Sequence, residues 1–107
     1  ADARLAALCE AMLDAPGEDH SLPRLAARAG MSDRTLTRLF RAETGLSLRE
    51  WRQRARMLAA LPELERGHGV TAVALEMGYD STSAFIAAFR QLMGRTPGEF
   101  FSPAARE

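Results

Sequence analysis

The sequence predicts an all-α fold of about seven helices, arranged as two helix-turn-helix lobes joined by one long linking helix. Apolar residues recur at helical spacing, and no stretch shows the sustained alternation of a strand. Hydroxyl residues and glycines mark helix starts and stops along the chain. A pattern in the first half also returns in the second, where Phe40-Arg41 reappears as Phe89-Arg90. Hydrophobic residues make up 47% of the 107 residues, which is enough for a packed core.

Three helices are predicted before residue 46. The first carries an apolar stripe and ends at residues 15–17, where proline and glycine follow. Ser21 is the expected N-cap of the second helix, which has a proline in its first turn and ends at Gly30. Ser32 caps the third helix, which runs to Gly45. The stripe of the first helix consists of Leu5, Leu8, Cys9 and Met12.

The linking helix is predicted over residues 47–64. Ser47 and Glu50 have the spacing of a capping box, which satisfies backbone donors at the helix start. Pro62 lacks a backbone donor, and its ring clashes with the preceding turn. We therefore expect Pro62 to end or kink the linking helix, with a break near residues 61–62 and one more turn to Leu64 as the alternative.

Three shorter helices are predicted after the linking helix. Residues 70–77 form the fifth helix, which Gly78 stops, and residues 81–93 form the sixth. Thr96 and Glu99 have the spacing of a second capping box and start a short last helix.

Each copy of the repeat contains a short helix, a glycine turn and a longer capped helix, which is the helix-turn-helix pattern. Glycine permits a positive φ in the turn, and a small alanine in the first helix lets the second helix cross closely. Ala26 with Gly30, and Ala74 with Gly78, match these roles. The second copy has one more residue in its turn. The predicted lobes span residues 3–46 and 69–101.

Three segments together carry a family signature. They are LAARAGMSDRTLTRLFRAETGLSLREW, the run Arg-Met-x-x-Ala at residues 56–60, and VALEMGYDSTSAFIAAFRQLMGRTPGEFF. With these segments the chain resembles the DNA-binding domain of the AraC/XylS family of bacterial transcription regulators. Three positions depart from the family pattern. Phe101 stands where arginine is common, Pro62 interrupts the linking helix, and Ala87 replaces a basic residue of the second recognition helix.

The resemblance implies that residues 1–107 form a single DNA-binding unit that acts in transcription regulation. It implies recognition helices at about 33–44 and 81–93, inserted into successive major grooves of double-stranded promoter DNA. It also implies RNA polymerase as a partner and a separate effector or dimerisation domain, absent here, so we expect the chain to be a fragment. No cofactor is expected. The single cysteine, with no signal peptide and no long apolar run, favours a cytoplasmic location without membrane contact.

The third helix carries a polar stripe with the spacing i, i+3, i+4, i+7. Arginine can donate two hydrogen bonds to guanine, and threonine can hydrogen-bond a base edge or contact a thymine methyl group. A solvated arginine face is the ordinary alternative, which the repeat and the family resemblance disfavour. Residues of the early turns suit base contacts, and Arg41, a turn later, suits phosphate. The predicted base contacts of this helix are Arg34, Thr35, Thr37 and Arg38.

The equivalent stripe of the second recognition helix is nearly free of charge. Ile86 and Ala87 cannot hydrogen-bond guanine, but they can touch a thymine methyl or allow close approach, and core packing is the alternative for Ile86. The predicted base contacts of this helix are Thr82, Ser83, Ile86 and Ala87. The predicted phosphate contacts are Arg41, Ser47, Arg49, Ser81, Arg90, Arg95 and Thr96. Further candidates for phosphate, of which only some can face DNA, are Arg24, Arg28, Arg52, Arg54 and Arg56.

Charge is unevenly distributed although the net charge is zero. Residues 24–56 contain nine arginines and three acids, whereas the flanking segments are net acidic and should point away from DNA. No cluster has metal-ligand spacing, and no phosphate loop or nucleophile–base pattern is present, so an enzyme is not predicted. The remaining alternative is a helical protein–protein interaction module that does not bind DNA.

Overall fold

The structure, a computed structural model, describes residues 2–102. Within that range the chain forms seven α-helices and no strand, which confirms the predicted all-α fold with two helix-turn-helix lobes. Residues 1 and 103–107 of the predicted single unit lie outside the described residues. No helix of the described part is long and apolar enough to cross a membrane. The helices are α1 (Ala3–Asp14), α2 (Leu22–Ala29), α3 (Asp33–Thr44), α4 (Leu48–Glu65), α5 (Val70–Glu76), α6 (Thr82–Met93) and α7 (Pro97–Phe100).

Two hydrophobic cores lie at the two ends of the linking helix α4. The first core is built from α1, α2 and α3 around residues such as Leu36 and Phe40, and Trp51 of α4 packs against it. The second core joins the later part of α4 to α5 and α6, with Phe85 and Phe89 fully buried. Because α4 contributes to both cores, it holds the two lobes on one rigid axis.

The two helix-turn-helix corners have the same backbone geometry. In the first corner the Met31 N–H donates to the Ala26 carbonyl at 3.0 Å, and in the second the Tyr79 N–H donates to the Ala74 carbonyl at 3.0 Å. Both corner glycines have a positive φ, 69° and 84°. Both alanines are buried, so the helices cross closely at these points. The second corner is one residue longer between its glycine and the serine cap, as the sequence predicts.

Each lobe contains an equivalent aromatic pair between its recognition helix and the helix that follows. Phe40 of α3 meets Trp51 edge-to-face, with ring centroids 6.1 Å apart, and Phe89 of α6 meets Phe100 edge-to-face at 5.7 Å. Edge-to-face contacts at these distances are favourable beyond the apolar area that they bury. Each candidate recognition helix is therefore anchored through a fully buried phenylalanine to the helix that follows it.

The expected break of the linking helix near residues 61–62 is wrong. Helix α4 continues through Pro62 to Glu65. The missing proline N–H leaves the Leu58 carbonyl without its helical partner, but Leu58 is 65% exposed, and water can bond that oxygen. Leu64, buried in the second core, holds the last turn in place. One solvated carbonyl costs less than the loss of this buried contact.

Two smaller expectations also need correction. Ser21 occupies the N-cap position of α2, but its side chain makes no capping bond. The Ser21 N–H instead donates to the Asp19 carboxylate at 3.0 Å. Helix α5 ends at Glu76 rather than Met77, because Met77 is already the C-cap residue.

The loop between α1 and α2 touches the second lobe. A side chain added at Gly17 would collide with the Glu76 carbonyl oxygen at the end of α5. Gly78, whose φ is 84°, faces the same loop, and a Cβ there would lie 2.7 Å from the Gly17 oxygen. Backbone therefore meets backbone at this point, which only glycine on both sides permits.

Arg56 of α4 bridges the same two parts of the chain. Its Nε–H donates to the Pro16 carbonyl at 3.3 Å, and its guanidinium carbon lies 4.8 Å from the centroid of the Tyr79 ring. Pro16 belongs to the α1–α2 loop and Tyr79 to the turn before α6. The two lobes thus meet directly as well as through the linking helix.

Candidate nucleic-acid interface

The polar stripe of α3 faces solvent, as its spacing predicts. Ser32 caps the helix by accepting from the Thr35 N–H at 3.1 Å. On the opposite side Leu36 and Phe40 have no exposed surface. The exposed members of the stripe are Arg34, Thr37, Arg38 and Arg41.

The donors of this stripe are not equally free. Among the described residues, Arg34 and Arg38 have no hydrogen-bond or ion-pair partner, so their guanidinium groups are available to a ligand. Arg41 lies 3.9 Å from the Glu50 carboxylate, which leaves it partly compensated. The Thr37 hydroxyl donates to the Asp33 carbonyl at 2.9 Å. Thr37 can therefore offer a base its methyl group and an acceptor oxygen, but not its hydroxyl proton.

Thr35 and Ser47 have fewer free hydrogen-bonding groups for DNA than the sequence suggests. Thr35 is half-buried and its hydroxyl oxygen accepts from the Ser32 hydroxyl at 2.9 Å. The Ser47 N–H donates to Glu50 within the capping box at 3.0 Å, so only the Ser47 hydroxyl proton remains for a phosphate. These capping-box bonds lower the pKa of the Glu50 carboxyl, with a smaller contribution from the charge of Arg41.

The equivalent face of α6 carries smaller side chains than that of α3, and Arg90 is its charged residue. Ser83, Ala87 and Arg90 are exposed, while Ile86 is half-buried and lies outside the second core. The alternative that Ile86 is a core residue is therefore wrong, and Phe85 fills that place with no exposed surface.

Two hydroxyl groups make hydrogen bonds at the start of α6. Ser81 caps the helix by accepting from the Ala84 N–H at 3.0 Å. Thr82 is half-buried, and its hydroxyl lies 3.4 Å from that of Thr71 on α5. The Ser81 hydroxyl proton has no acceptor among the described residues, so it can still donate to a phosphate.

A groove of about 620 Å³ runs along this face of α6, and we call it the α6 groove. It brings together five of the predicted contacts and adds Gln91, which the sequence analysis missed. Extending the stripe one turn from Ala87 would have found Gln91. Thr96 is the weakest of these contacts, because both its N–H and its hydroxyl donate to Glu99 at 3.0 Å. The α6 groove is lined by Ser83, Ile86, Ala87, Arg90, Gln91 and Thr96.

A second groove, of about 720 Å³, lies between the two lobes, and we call it the interlobe groove. It places Thr37 of α3 and Ala87 of α6 on one continuous surface, with residues of α4 between them. Ser47 also borders it, whereas Gln53 is a second polar residue that the sequence analysis did not identify. No carboxylate of the described residues lines either groove. The lining of the interlobe groove includes Thr37, Arg49, Arg52, Gln53, Ala87 and Gln91.

The other predicted contacts line neither groove. The arginines and the serine of this set are exposed, whereas Thr35 and Thr82 are half-buried. Of the further phosphate candidates, Arg24 pairs with Asp19 at 3.5 Å and Arg54 donates to the Glu50 carbonyl at 3.2 Å. Arg28 has no partner within residues 2–102. The predicted contacts outside both grooves are Arg34, Thr35, Arg38, Arg41, Ser81, Thr82 and Arg95.

Comparison with known proteins identifies the family. A family model described as a helix-turn-helix domain matches residues 25–102. The putative AraC-like transcription regulator of Streptomyces antibioticus is 31% identical over 86 residues, which are 79% of this chain and 28% of that protein. The chain belongs to the AraC-type helix-turn-helix family. This membership confirms the resemblance seen in the sequence.

Two more relatives agree with the AraC-type assignment. The HTH-type transcriptional regulator NimR of Escherichia coli K12 is 41% identical over 99 residues, covering 92% of this chain and 36% of that protein. The crystallised DNA-binding domain of the transcriptional factor AdpA, in complex with a target DNA, is 35% identical with a TM-score of 0.85. That alignment covers 91% of this chain and 88% of the AdpA chain. The AraC-type domain described here thus spans about a third of the length of curated relatives such as NimR.

Proposed function

We propose that this AraC-type domain is the sequence-specific reader of double-stranded promoter DNA in a bacterial transcription regulator, with α3 and α6 inserted into successive major grooves. The observation that carries the proposal is the shared surface of the two helices. Thr37 and Ala87, one from the stripe of each helix, border one interlobe groove that no carboxylate of the described residues lines. Charge of one sign on a continuous face favours a polyanion.

The first lobe supplies most of the sequence discrimination. Arg34 and Arg38 protrude in the early turns of α3 with unpaired guanidinium groups, and each can donate two parallel bonds to guanine. Thr37 lies between them and offers its methyl group to thymine. Arg41 lies a turn later, beside Glu50, and contacts phosphate.

The second lobe anchors the domain more than it discriminates. Ile86 and Ala87 bring α6 close to the base edges and favour thymine methyl groups by contact. Ser81 and Arg90 meet phosphates at the two ends of the helix, and Arg95 adds a contact after it. If about five phosphates are neutralised in total, log K falls against log salt with a slope of about −4.5.

The wider assignments belong to the same proposal. Relatives named as transcription regulators are about three times as long as this chain, which supports a separate effector or dimerisation domain in the whole protein. RNA polymerase is the expected protein partner, and the cytoplasm is the expected location. The rival function is a helical protein–protein module. It predicts no DNA binding at all.

Selection of bound duplexes from a random DNA pool tests the proposal. We expect enrichment of one sharply specified half-site, which includes guanines read by α3, and a looser A·T-tolerant segment about one helical turn away. A duplex of scrambled sequence serves as the control in a gel shift at low salt. Failure to enrich any sequence, together with no shift of genomic DNA at micromolar protein, would contradict DNA recognition and favour the rival function.

A further inference from the structure

Arg52 has a feature that the recognition helices do not explain. It lies on α4 in the interlobe groove and is half-buried. Its Nε atom is inaccessible to solvent, yet this donor has no hydrogen-bond partner within residues 2–102. Buried polar groups in folded proteins are almost always bonded, and an unbonded donor on a charged group is especially costly. Residues 2–102 supply no acceptor to any nitrogen of Arg52, and its outer Nη groups, which unlike Nε are not fully covered, remain free for a ligand.

The positive charge around Arg52 is only partly compensated. Arg49 and Arg56 line the same groove, one turn before and one turn after it on α4. Burial lowers the pKa of the Arg52 guanidinium, and the neighbouring charge of Arg56 lowers it further. The carboxylate of Asp19 acts in the opposite direction, but it forms an ion pair with Arg24 at 3.5 Å. An anion in the groove would relieve this repulsion.

The neighbouring polar groups leave room for such an anion. Arg56 is engaged by the Pro16 carbonyl and the face of Tyr79, so it contributes charge and little hydrogen bonding. Gln53 borders the groove beside Arg52, and its amide can donate to the same ligand. Arg49, Arg52 and Gln53 thus border a part of the groove that no carboxylate of the described residues lines.

The position of the groove identifies the source of the anion. Its two walls are formed by Thr37 of α3 and Ala87 of α6, the helices assigned to successive major grooves. Successive major grooves lie one helical turn apart, about 34 Å, and the minor groove with its two flanking sugar–phosphate strands lies between them on the same face of the duplex. With α3 and α6 inserted as proposed, these strands would pass opposite α4 and present phosphate oxygens to the interlobe groove.

We propose that the interlobe groove is a binding site for a backbone phosphate of the DNA between the two half-sites, with Arg52 as its main ligand. The inference rests on the proposed function and adds a contact that carries no sequence information. A planar guanidinium suits this role, because it can bond two phosphate oxygens at once. The contact fixes the register of both recognition helices on the duplex.

The test compares Arg52→Gln with Arg66→Gln, which removes one arginine at the far end of the same helix. Arg66 is exposed, lines neither groove, and its guanidinium pairs with the Glu63 carboxylate at 2.8 Å. Dissociation constants are measured over a salt series for a selected duplex and for a scrambled one. We expect Arg52→Gln to weaken both duplexes by the same factor and to reduce the salt slope by about 0.9. Arg66→Gln should change the slope by less than half as much.

A second measurement needs no variant and therefore does not depend on folding. Methylphosphonate linkages remove single phosphate charges from the selected duplex, one position at a time. Substitution between the two half-sites should weaken binding of the wild-type chain about as much as Arg52→Gln does. An unchanged slope for Arg52→Gln relative to the control, or no loss from any central methylphosphonate, would overturn this site while DNA binding stands. If the wild type binds neither duplex, the proposed function itself fails.

Discussion

Single residues distinguish the two recognition helices more than their backbones do. Stripe positions of α3 carry arginine at 34 and 38, where α6 carries serine at 83 and alanine at 87. A guanidinium group can donate two hydrogen bonds to guanine, whereas a methyl group can only contact a base or leave too little space for it. Because α3 and α6 have the same backbone geometry but different side chains, we expect α3 to discriminate between bases more strongly than α6.

Arg38→Ala should abolish the preference for one base. Arg38 is exposed and unpaired among the described residues, so it is free to bond a guanine, and loss of such a bond costs about 1–3 kcal/mol of discrimination. The measurement is the dissociation constant for the selected site and for its single-base variants. Arg66→Ala, which only removes an ion pair with Glu63, is the control. An equal loss on every sequence would make Arg38 a phosphate contact.

Ile86→Ala should leave the fold nearly as stable as before. Ile86 is half-buried outside the second core, so we expect less than about 1.5 kcal/mol of lost unfolding free energy. Phe85→Ala, at the next residue, empties a fully buried site and should cost about 3–5 kcal/mol. Thermal unfolding measures both changes. Comparable losses for the two variants would show that Ile86 belongs to the core after all.

At the scale of helices, local signals predict most of the chain. Serine and threonine caps and positive-φ glycines depend on interactions between residues close in sequence. Helix starts and ends can therefore be predicted from neighbouring residues. Pro62 could not be judged in this way, because the last turn of α4 is held by Leu64 in a core formed with distant helices. The interlobe groove could not be predicted from the sequence either. The unpaired state of Arg52 depends on how α3, α4 and α6 pack, which no spacing reveals.

Gly17→Ala should loosen the contact between the lobes. The added methyl group collides with the Glu76 carbonyl, so the α1–α2 loop must move, at a cost of about 1–3 kcal/mol in unfolding free energy. Affinity for the selected duplex should also fall, because the two helices lose their fixed spacing. Gly98→Ala is the matched control, since Gly98 lies inside α7 and a Cβ there meets nothing within 4 Å. Identical stability and affinity for the two variants would mean that the loop contact is dispensable.

Capping boxes should make the stability of the domain depend on acid pH. Hydrogen bonds from Ser47 lower the pKa of Glu50 below its ordinary 4.5, and those from Thr96 lower the pKa of Glu99. The stabilisation is complete above the unfolded-state pKa and is lost as pH falls through the lowered folded-state pKa. The double variant Glu50→Gln/Glu99→Gln keeps the bonds without titrating. Urea unfolding at pH 7 and pH 3 should show a smaller acid loss for the variant than for wild type; equal losses would contradict the assignment.

The whole molecule has dimensions that suit one face of a duplex. Its extents are 47 × 23 × 20 Å, so the long axis exceeds the separation of about 34 Å between successive major grooves. A net charge of zero does not oppose binding to a polyanion. Arginines border both grooves of this face, and the acidic side chains of the described residues line neither.

Hydroxyl-radical footprinting of the selected duplex tests the central claim most directly, because it reports where the domain lies on DNA. We expect two protected patches on one face of the helix, with centres about 10–10.5 base pairs apart, one for α3 and one for α6. Arg38→Ala should weaken the patch at the specified half-site first. A single patch, or two patches on opposite faces of the duplex, would contradict the insertion of two helices into successive major grooves.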